Sequence, residues 1–213
     1  NDASLALNDS SVWLAPYASG GVQVFNGVIS GPGNIVNRAN GITTFSGANT
    51  FSGECRLTTG TLGLGVNSTS SGGTVLTSPL GAGPLRLQNE GSSVGGNGAV
   101  QAVGGARVVE NPIVYYRTNE FTFIINGTDD LTLGGNMDLH GQSDGLGGVN
   151  REIRVNNTGR STLSGVISDN GTICGITKTG SGTLQLNGAS SYTGSTVVSN
   201  GILAGIGSIV SPV

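Results

Sequence analysis

At 213 residues the chain suits one large domain or two small ones, but 39 residues are Gly and only 10% are charged, against roughly a quarter charged in an ordinary globular domain. That balance excludes a helical or α/β enzyme of ordinary make-up, while 36% hydrophobic content at a net charge of -3 excludes the low-hydrophobicity, high-charge regime of disordered chains. Lys178 is the only lysine and the arginines are scattered, so no basic stripe exists and no nucleic-acid partner is expected; no apolar run nears the roughly 18 residues of a spanning helix, so no membrane insertion is expected.

The chain opens at Asn1 on "NDASLALNDSSVWLAP", without an initiator Met or a charged-then-apolar leader, which reads as a mature or excised segment that begins in strands. Trp13 and Tyr17 in this region are either a packing plug or an interface anchor. From Val24 to Gly65 runs "VFNGVISGPGNIVNRANGITTFSGANTFSGECRLTTGTLGLG", and its order of elements returns from Thr162 to Gly207 as "TLSGVISDNGTICGITKTGSGTLQLNGASSYTGSTVVSNGILAGIG". Phe25 aligns with Leu163, Gly47 with Gly188, Phe51 with Tyr192 and Gly60 with Gly201. Internal repetition over more than about forty residues is the mark of a stacked architecture. The domain reading is one β-solenoid over 1–213, with repeat copies at about 24–65 and 162–207 and divergent spacer rungs at 66–161.

Between the copies, "LRLQ" at Leu85 and "LTLGG" at Leu131 are runs too short to bury more than a few side chains before the chain turns. "NPIVYYRTNEFTFIIN" gathers Tyr115, Tyr116, Phe121 and Phe123; these either stack on sugar rings at an adhesive face or, as alternate members such as Phe121 and Phe123, fill the core. Asp129, Asp130, Asp138, Asp144 and Glu152 lie close in sequence, with His140, Arg151 and Arg154 among them. Such carboxylates serve either Ca²⁺ binding and glycan cleavage or simply a solvated loop, and their spacing fits neither an EF-hand nor a nonapeptide calcium repeat. "GQSDG" from Gly141 to Gly145 has the Gly-x-Ser-x-Gly form with Ser143 in the nucleophile's place, but no strand-to-helix elbow accompanies it. Asn8, Asn67, Asn126, Asn156 and Asn170 head Asn-x-Ser/Thr triplets, which this composition produces unaided.

In the second copy, "GTLQLNG" places Leu184 and Leu186 on one face and Thr183, Gln185 and Asn187 on the other, the alternation of a half-buried strand. Asn-Gly pairs at Asn126, Asn170, Asn187 and Asn200 supply corners that tolerate positive φ. Strand and corner alternating every ten residues or so suit a sandwich, a barrel or a solenoid. Short apolar runs, Gly spread throughout, and outward Thr, Ser and Asn rows favour an all-β, right-handed parallel β-helix, with a sandwich as the runner-up.

"ITKTGSGTLQLNGASSYTGSTVVSNGILAG", residues 176–205, resembles the autotransporter-associated β-strand repeat, also called the passenger-associated transport repeat, with Ser190 where the pattern has Asn. "GITTFSGANTFSGECRLTTGTLGLG" from Gly41 to Gly65 keeps Asn49, carries Phe51 in place of Tyr, and lacks the Lys-x-Gly lead. The resemblance implies a right-handed parallel β-helix in a secreted or surface-exposed bacterial passenger, in which the repeat aids export or folding outside the cell. It also implies a C-terminal membrane barrel in autotransporters, where this chain stops at "GSIVSPV", so the segment is expected to be a passenger fragment or a barrel-free user of the repeat.

Rungs of roughly 20 to 25 residues would give about nine or ten turns and a rod about 45 Å long. Cys55 and Cys174 then fall too far apart for an intrachain bridge, leaving two thiols or an intermolecular disulfide. Uncapped ends suggest head-to-tail self-assembly. The expected function is an extracellular or cell-surface structural module, a fibre subunit or a stalk segment, with self as partner and surface glycans as a further candidate partner. A surface adhesin and a glycan-active β-helix are the alternatives. No enzyme activity, catalytic residue, cofactor or metal is expected.

Overall fold

Apolar and small polar residues alternate in this chain, and Gly or Asn interrupts them so often that the strands are only two to seven residues long. The structure, a computed structural model, describes residues 2–14, 20–38, 40–88, 96–116, 121–140 and 149–207, and among them there is no helix. The strands wind into a parallel β-helix whose turns contribute to three long sheets in rotation.

The seven-stranded sheet collects Ser11–Leu14, Asn34–Asn37, Cys55–Leu57, Leu85–Leu87, Ile113–Tyr115, Met137–Asp138 and Ile167–Ser168. The eight-stranded sheet collects Val22–Phe25, Ile42–Phe45, Thr61–Leu64, Gly96–Ala102, Phe121–Ile125, Asn150–Val155, Gly175–Thr179 and Thr196–Val198. A five-stranded sheet closes the later turns with Arg107–Val109, Leu131–Leu133, Ser161–Leu163, Thr183–Leu186 and Ile202–Gly205. Leu5–Ala6 pairs in parallel with Ile29–Ser30 in the earlier turns. The all-β solenoid expected from the repeat is thus present, with no closed barrel among the described residues.

Parallel registry stacks like on like. Val12, Ile35, Cys55, Leu85, Ile113, Met137 and Ile167 form one unbroken inward column along the seven-stranded sheet. On the eight-stranded sheet, Phe25 and Phe45 stack at 5.6 Å between ring centroids and continue into Leu64 and Ala102. Leu133, Leu163 and Leu186 form the corresponding column on the five-stranded sheet. These columns merge into one continuous core, so the apolar area removed from water extends the length of the rod and each turn is held chiefly by its two neighbours.

The turns are longer than the composition suggested. Return to the seven-stranded sheet takes 20 residues from Ile35 to Cys55 but 30 from Cys55 to Leu85. The second interval carries an extruded antiparallel hairpin, Thr69–Ser71 with Thr74–Thr77, closed by Gly72 and Gly73 at φ of 58° and 80°. Two consecutive positive φ values are what a two-residue type I′ hairpin needs. Fewer, longer turns shorten the rod: eight strands at the usual spacing occupy about 38 Å, not about 45 Å.

Candidate functional site

Of the two readings of Tyr115 to Phe123, an adhesive face or core filling, the structure takes the second. Strands Ile113–Tyr115 and Phe121–Ile125 alternate so that Tyr115, Phe121 and Phe123 are buried in the core. Tyr116 alone of the four is half-exposed, and the Arg86 guanidinium lies over its ring at 4.0 Å. The Tyr115 hydroxyl is buried without a partner, and desolvation drives its pKa upward. Trp13 is exposed, with Arg38 over its ring at 3.6 Å. Tyr17 lies outside the described residues.

The carboxylates that are near in sequence are dispersed by the winding. Asp129 accepts from the backbone of Gly105, Asp130 from that of Arg160, and Asp138 from that of His140 and from Asn170 Nδ2. Glu152 sits on the eight-stranded sheet between Thr122 and Thr179, whose hydroxyls donate to it from the turns on either side. Burial opposes its ionisation, but those hydroxyls and the Arg154 guanidinium outweigh burial and hold its carboxyl below the usual range. No three His, Cys, Asp or Glu side chains converge on a metal-sized centre among the described residues. Ser143 and Asp144 lie outside the described residues.

Cys55 and Cys174 are both free and buried. Cys55 lies in the aliphatic column between Ile35 and Leu85, and desolvation pushes its thiol up to about 12. An intermolecular bridge through either sulfur, one of the options left open by the sequence, requires the turn around it to open.

The chemistry concentrates instead at the corners of the two repeat copies. Lys178 faces inward in register with Ile153 and Val198 and is 0% exposed. Its Nζ donates to the carbonyls of Thr179, Gly180 and Asn200 at 2.7, 2.8 and 3.0 Å, which uses all three ammonium donors. The lone lysine is therefore a clip between one corner and the corner a turn later, and its burial lowers its pKa. The first copy was expected to lack this lead. Asn37 takes its place: it is buried, donates Nδ2 to the Thr59 carbonyl at 2.9 Å, and accepts from the Thr43 hydroxyl at 3.0 Å. Both clips reach 22 residues forward, to the residue preceding Gly60 in one copy and Gly201 in the other. Both glycines have positive φ, 72° and 74°, which favours Gly at this corner.

Other equivalent positions vary together. Tyr192 is buried and its hydroxyl bonds the Thr196 hydroxyl at 2.7 Å; in the first copy Phe51 and Cys55 stand in these places, so the hydroxyl and its partner are lost together. Asn49 ties three turns, accepting from the Ile29 amide at 2.8 Å and donating to the Pro79 carbonyl at 2.7 Å. Ser190, its equivalent, is too short to span, and its Oγ is buried without a partner. Asp169 accepts from the amides of Gly171, Cys174 and Thr193 and from the Thr193 hydroxyl. Desolvation opposes its charge, but these bonds prevail and its pKa is lowered. Sequence reasoning found Lys178 through the motif; the roles of Asn37 and Asp169 had no signal beyond their equivalent spacing and an Asp-x-Gly turn.

The two copies also occupy different faces. Ile42–Phe45 and Thr61–Leu64 of the first belong to the eight-stranded sheet, whereas their equivalents Thr183–Leu186 and Ile202–Gly205 belong to the five-stranded sheet. The repeat is thus a unit of winding that is not tied to one face of the coil.

A model of the passenger-associated transport repeat matches residues 40–64 and 176–204, the segments that carry these corners. Two segments of the chain thus match the passenger-associated transport repeat. It is similar to the Adhesin BmaC autotransporter of Brucella suis biovar 1 (strain 1330), at 29% identity over an alignment that covers 91% of this chain. The alignment spans only 6% of that protein's length. No solved structure matches the chain. A passenger-type repeat protein related to an autotransporter adhesin places the chain outside the cell or at its surface.

Proposed function

We propose that the chain is a non-enzymatic structural segment of a surface passenger, a rod that stacks head to tail through its open sheet edges. The observation that carries this is at the two ends. Val22–Phe25 and Ser11–Leu14 begin the eight- and seven-stranded sheets, and Thr196–Val198 and Ile202–Gly205 end the eight- and five-stranded ones. Their outer edges have no strand partner among the described residues, and they expose Val22 at one end and Val197, Val198 and Ile202 at the other. A flat, uncharged, apolar strand edge recruits another strand, and a head-to-tail contact propagates as an open filament.

Sedimentation and electron microscopy across rising concentration test this reading. Rods that lengthen in steps of about 38 Å, eight strand spacings per copy, are expected. Val22→Lys and Ile202→Lys, which place charge on each edge, should hold the protein monomeric without altering its circular dichroism. Monomers at all concentrations, or association that survives both lysines, would sink the stacking.

The similarity to an autotransporter adhesin favours a second reading, that the segment itself takes part in adhesion. Binding to host cells by the isolated chain, measured beside a β-helix lacking this sequence, decides it.

A further inference from the structure

We propose that the cleft beneath the extruded hairpin is a binding site for a neutral saccharide residue, such as the terminal hexose of a glycan; this site gives the adhesive reading a location and rests on it. The cleft holds about 310 Å³ and is lined by Ser70 and Val75 of the hairpin, by Glu110 and Pro112 from one corner, and by Gly135 and Asn136 from the corner a turn later. Its volume stands at the lower end of the range for small-ligand sites.

The site is built before any ligand arrives. The hairpin root is pinned to the coil by three bonds: the Ser68 amide to the Val108 carbonyl, the Val108 amide to Asn67 Oδ1, and the Glu110 amide to Ser68 Oγ. On the floor, Gly135 packs so closely on the Asn111 backbone that a side chain there would collide with it. The Asn136 side chain is oriented by the Val166 amide, which donates to its Oδ1 at 3.0 Å. That leaves Nδ2 of this exposed side chain without a partner among the described residues and free to meet a ligand from solvent.

The decisive group is Glu110. Its carboxylate makes no hydrogen bond or ion pair with any described residue, and no Lys or Arg lines the cleft. Among the described residues the other buried and half-buried carboxylates are spent on backbone amides, hydroxyls or guanidinium groups, so an acceptor without such a partner beside an amide donor and the Ser70 hydroxyl is a set that complements a polyol. Vicinal sugar hydroxyls donate to the carboxylate and accept from the amide, while Val75 and Pro112 offer an apolar wall for the C–H face of the ring. A lone ammonium would satisfy Glu110 but would leave the Asn136 donor unmatched, and no aromatic ring is present to enclose it.

The test is saturation-transfer NMR on the whole chain with methyl glycosides of glucose, galactose, mannose and N-acetylglucosamine, and with ethylamine as the cationic probe. At least one glycoside should give transfer that weakens about tenfold or more in Glu110→Gln, and that disappears in Ser70→Trp, which fills the cleft from the exposed hairpin. Unchanged thermal unfolding in both variants confirms that the fold is intact. Glycoside binding that ignores Glu110→Gln, no glycoside binding, or binding of ethylamine alone overturns the proposal. Cell adhesion that persists in Glu110→Gln removes this site while leaving the adhesive reading in place; glycoside binding without cell adhesion keeps the site and removes the reading.

Discussion

Replacing Lys178 by Met keeps the volume of the side chain and removes its charge, so it isolates what the clip contributes. Three bonds from a charged donor, at 2.7, 2.8 and 3.0 Å, are each worth about 1.5–3 kcal/mol, a gross loss of roughly 5–9 kcal/mol. Against this, the variant recovers the several kcal/mol spent in withdrawing an ammonium from water. The carbonyls of Gly180 and Asn200 sit at half-exposed and exposed residues, where water can replace part of the loss. The expected net effect is a destabilisation of about 2–4 kcal/mol, read from the urea midpoint followed by far-ultraviolet circular dichroism. Because each turn is coupled chiefly to its neighbours, hydrogen exchange should accelerate at Ser199, whose amide bonds the Lys178 carbonyl, and remain slow near Leu85. A midpoint at or above that of the wild type would mean that desolvation outweighs the three bonds, and the clip would then be a feature that the fold tolerates and not one that holds it.

Tyr192→Phe should destabilise by about 1–2 kcal/mol by orphaning the buried Thr196 hydroxyl, and adding Thr196→Cys should restore most of it, since the first copy pairs Phe51 with Cys55; a cycle with no coupling refutes the equivalence. Asn49→Ala should cost about 2–4 kcal/mol, because it strands the Ile29 amide and the Pro79 carbonyl, whereas Ser190→Ala should be neutral or slightly stabilising because it removes an unpartnered hydroxyl. Denaturant midpoints of the two variants decide this. Asp169 has a lowered pKa in the folded state, so its contribution is complete above the ordinary value of 3.8 and is lost as pH falls through the folded value. Asp169→Asn should therefore lose stability at pH 7, and its deficit against the wild type should shrink below pH 3.8 in parallel urea titrations. Neither Cys55 nor Cys174 should react with an aromatic disulfide reagent in the native state, and both should react in urea; fast native labelling would contradict their burial.

The solenoid was legible because its signal is periodic. The alternation at Leu184 and Leu186 and the corner at Gly201 were read from spacing and took the expected places, and the positions aligned between the copies, Gly60 with Gly201 and Phe51 with Tyr192, share a positive φ and full burial respectively. The aromatic stretch at Tyr115 was ambiguous for the same reason, since alternation says that one set of residues faces inward but not which set. Asn49 was marked by the repeat pattern, but Asn37 could not be singled out in a chain rich in Asn, because an inward Asn clipping a carbonyl and an outward Asn in a corner have the same local sequence. The hairpin was hidden because "SSGGTV" has the Gly-Gly turn of an ordinary corner, and only the lengthened return from Cys55 to Leu85 exposes it. The cleft at Glu110 combines residues from three separate segments, a proximity that no local pattern encodes.

The offset of the two repeats by one face bears on how such a rod fails under load. The Asn37 clip fastens the edge between the seven- and eight-stranded sheets, and the Lys178 clip fastens the edge between the eight- and five-stranded sheets. Rivets set along a single seam let a tear run straight from one to the next. Set on different flanks, they force a peeling front to change direction around the shaft, so a turn pried loose at one fastening does not bring the next one under the same strain.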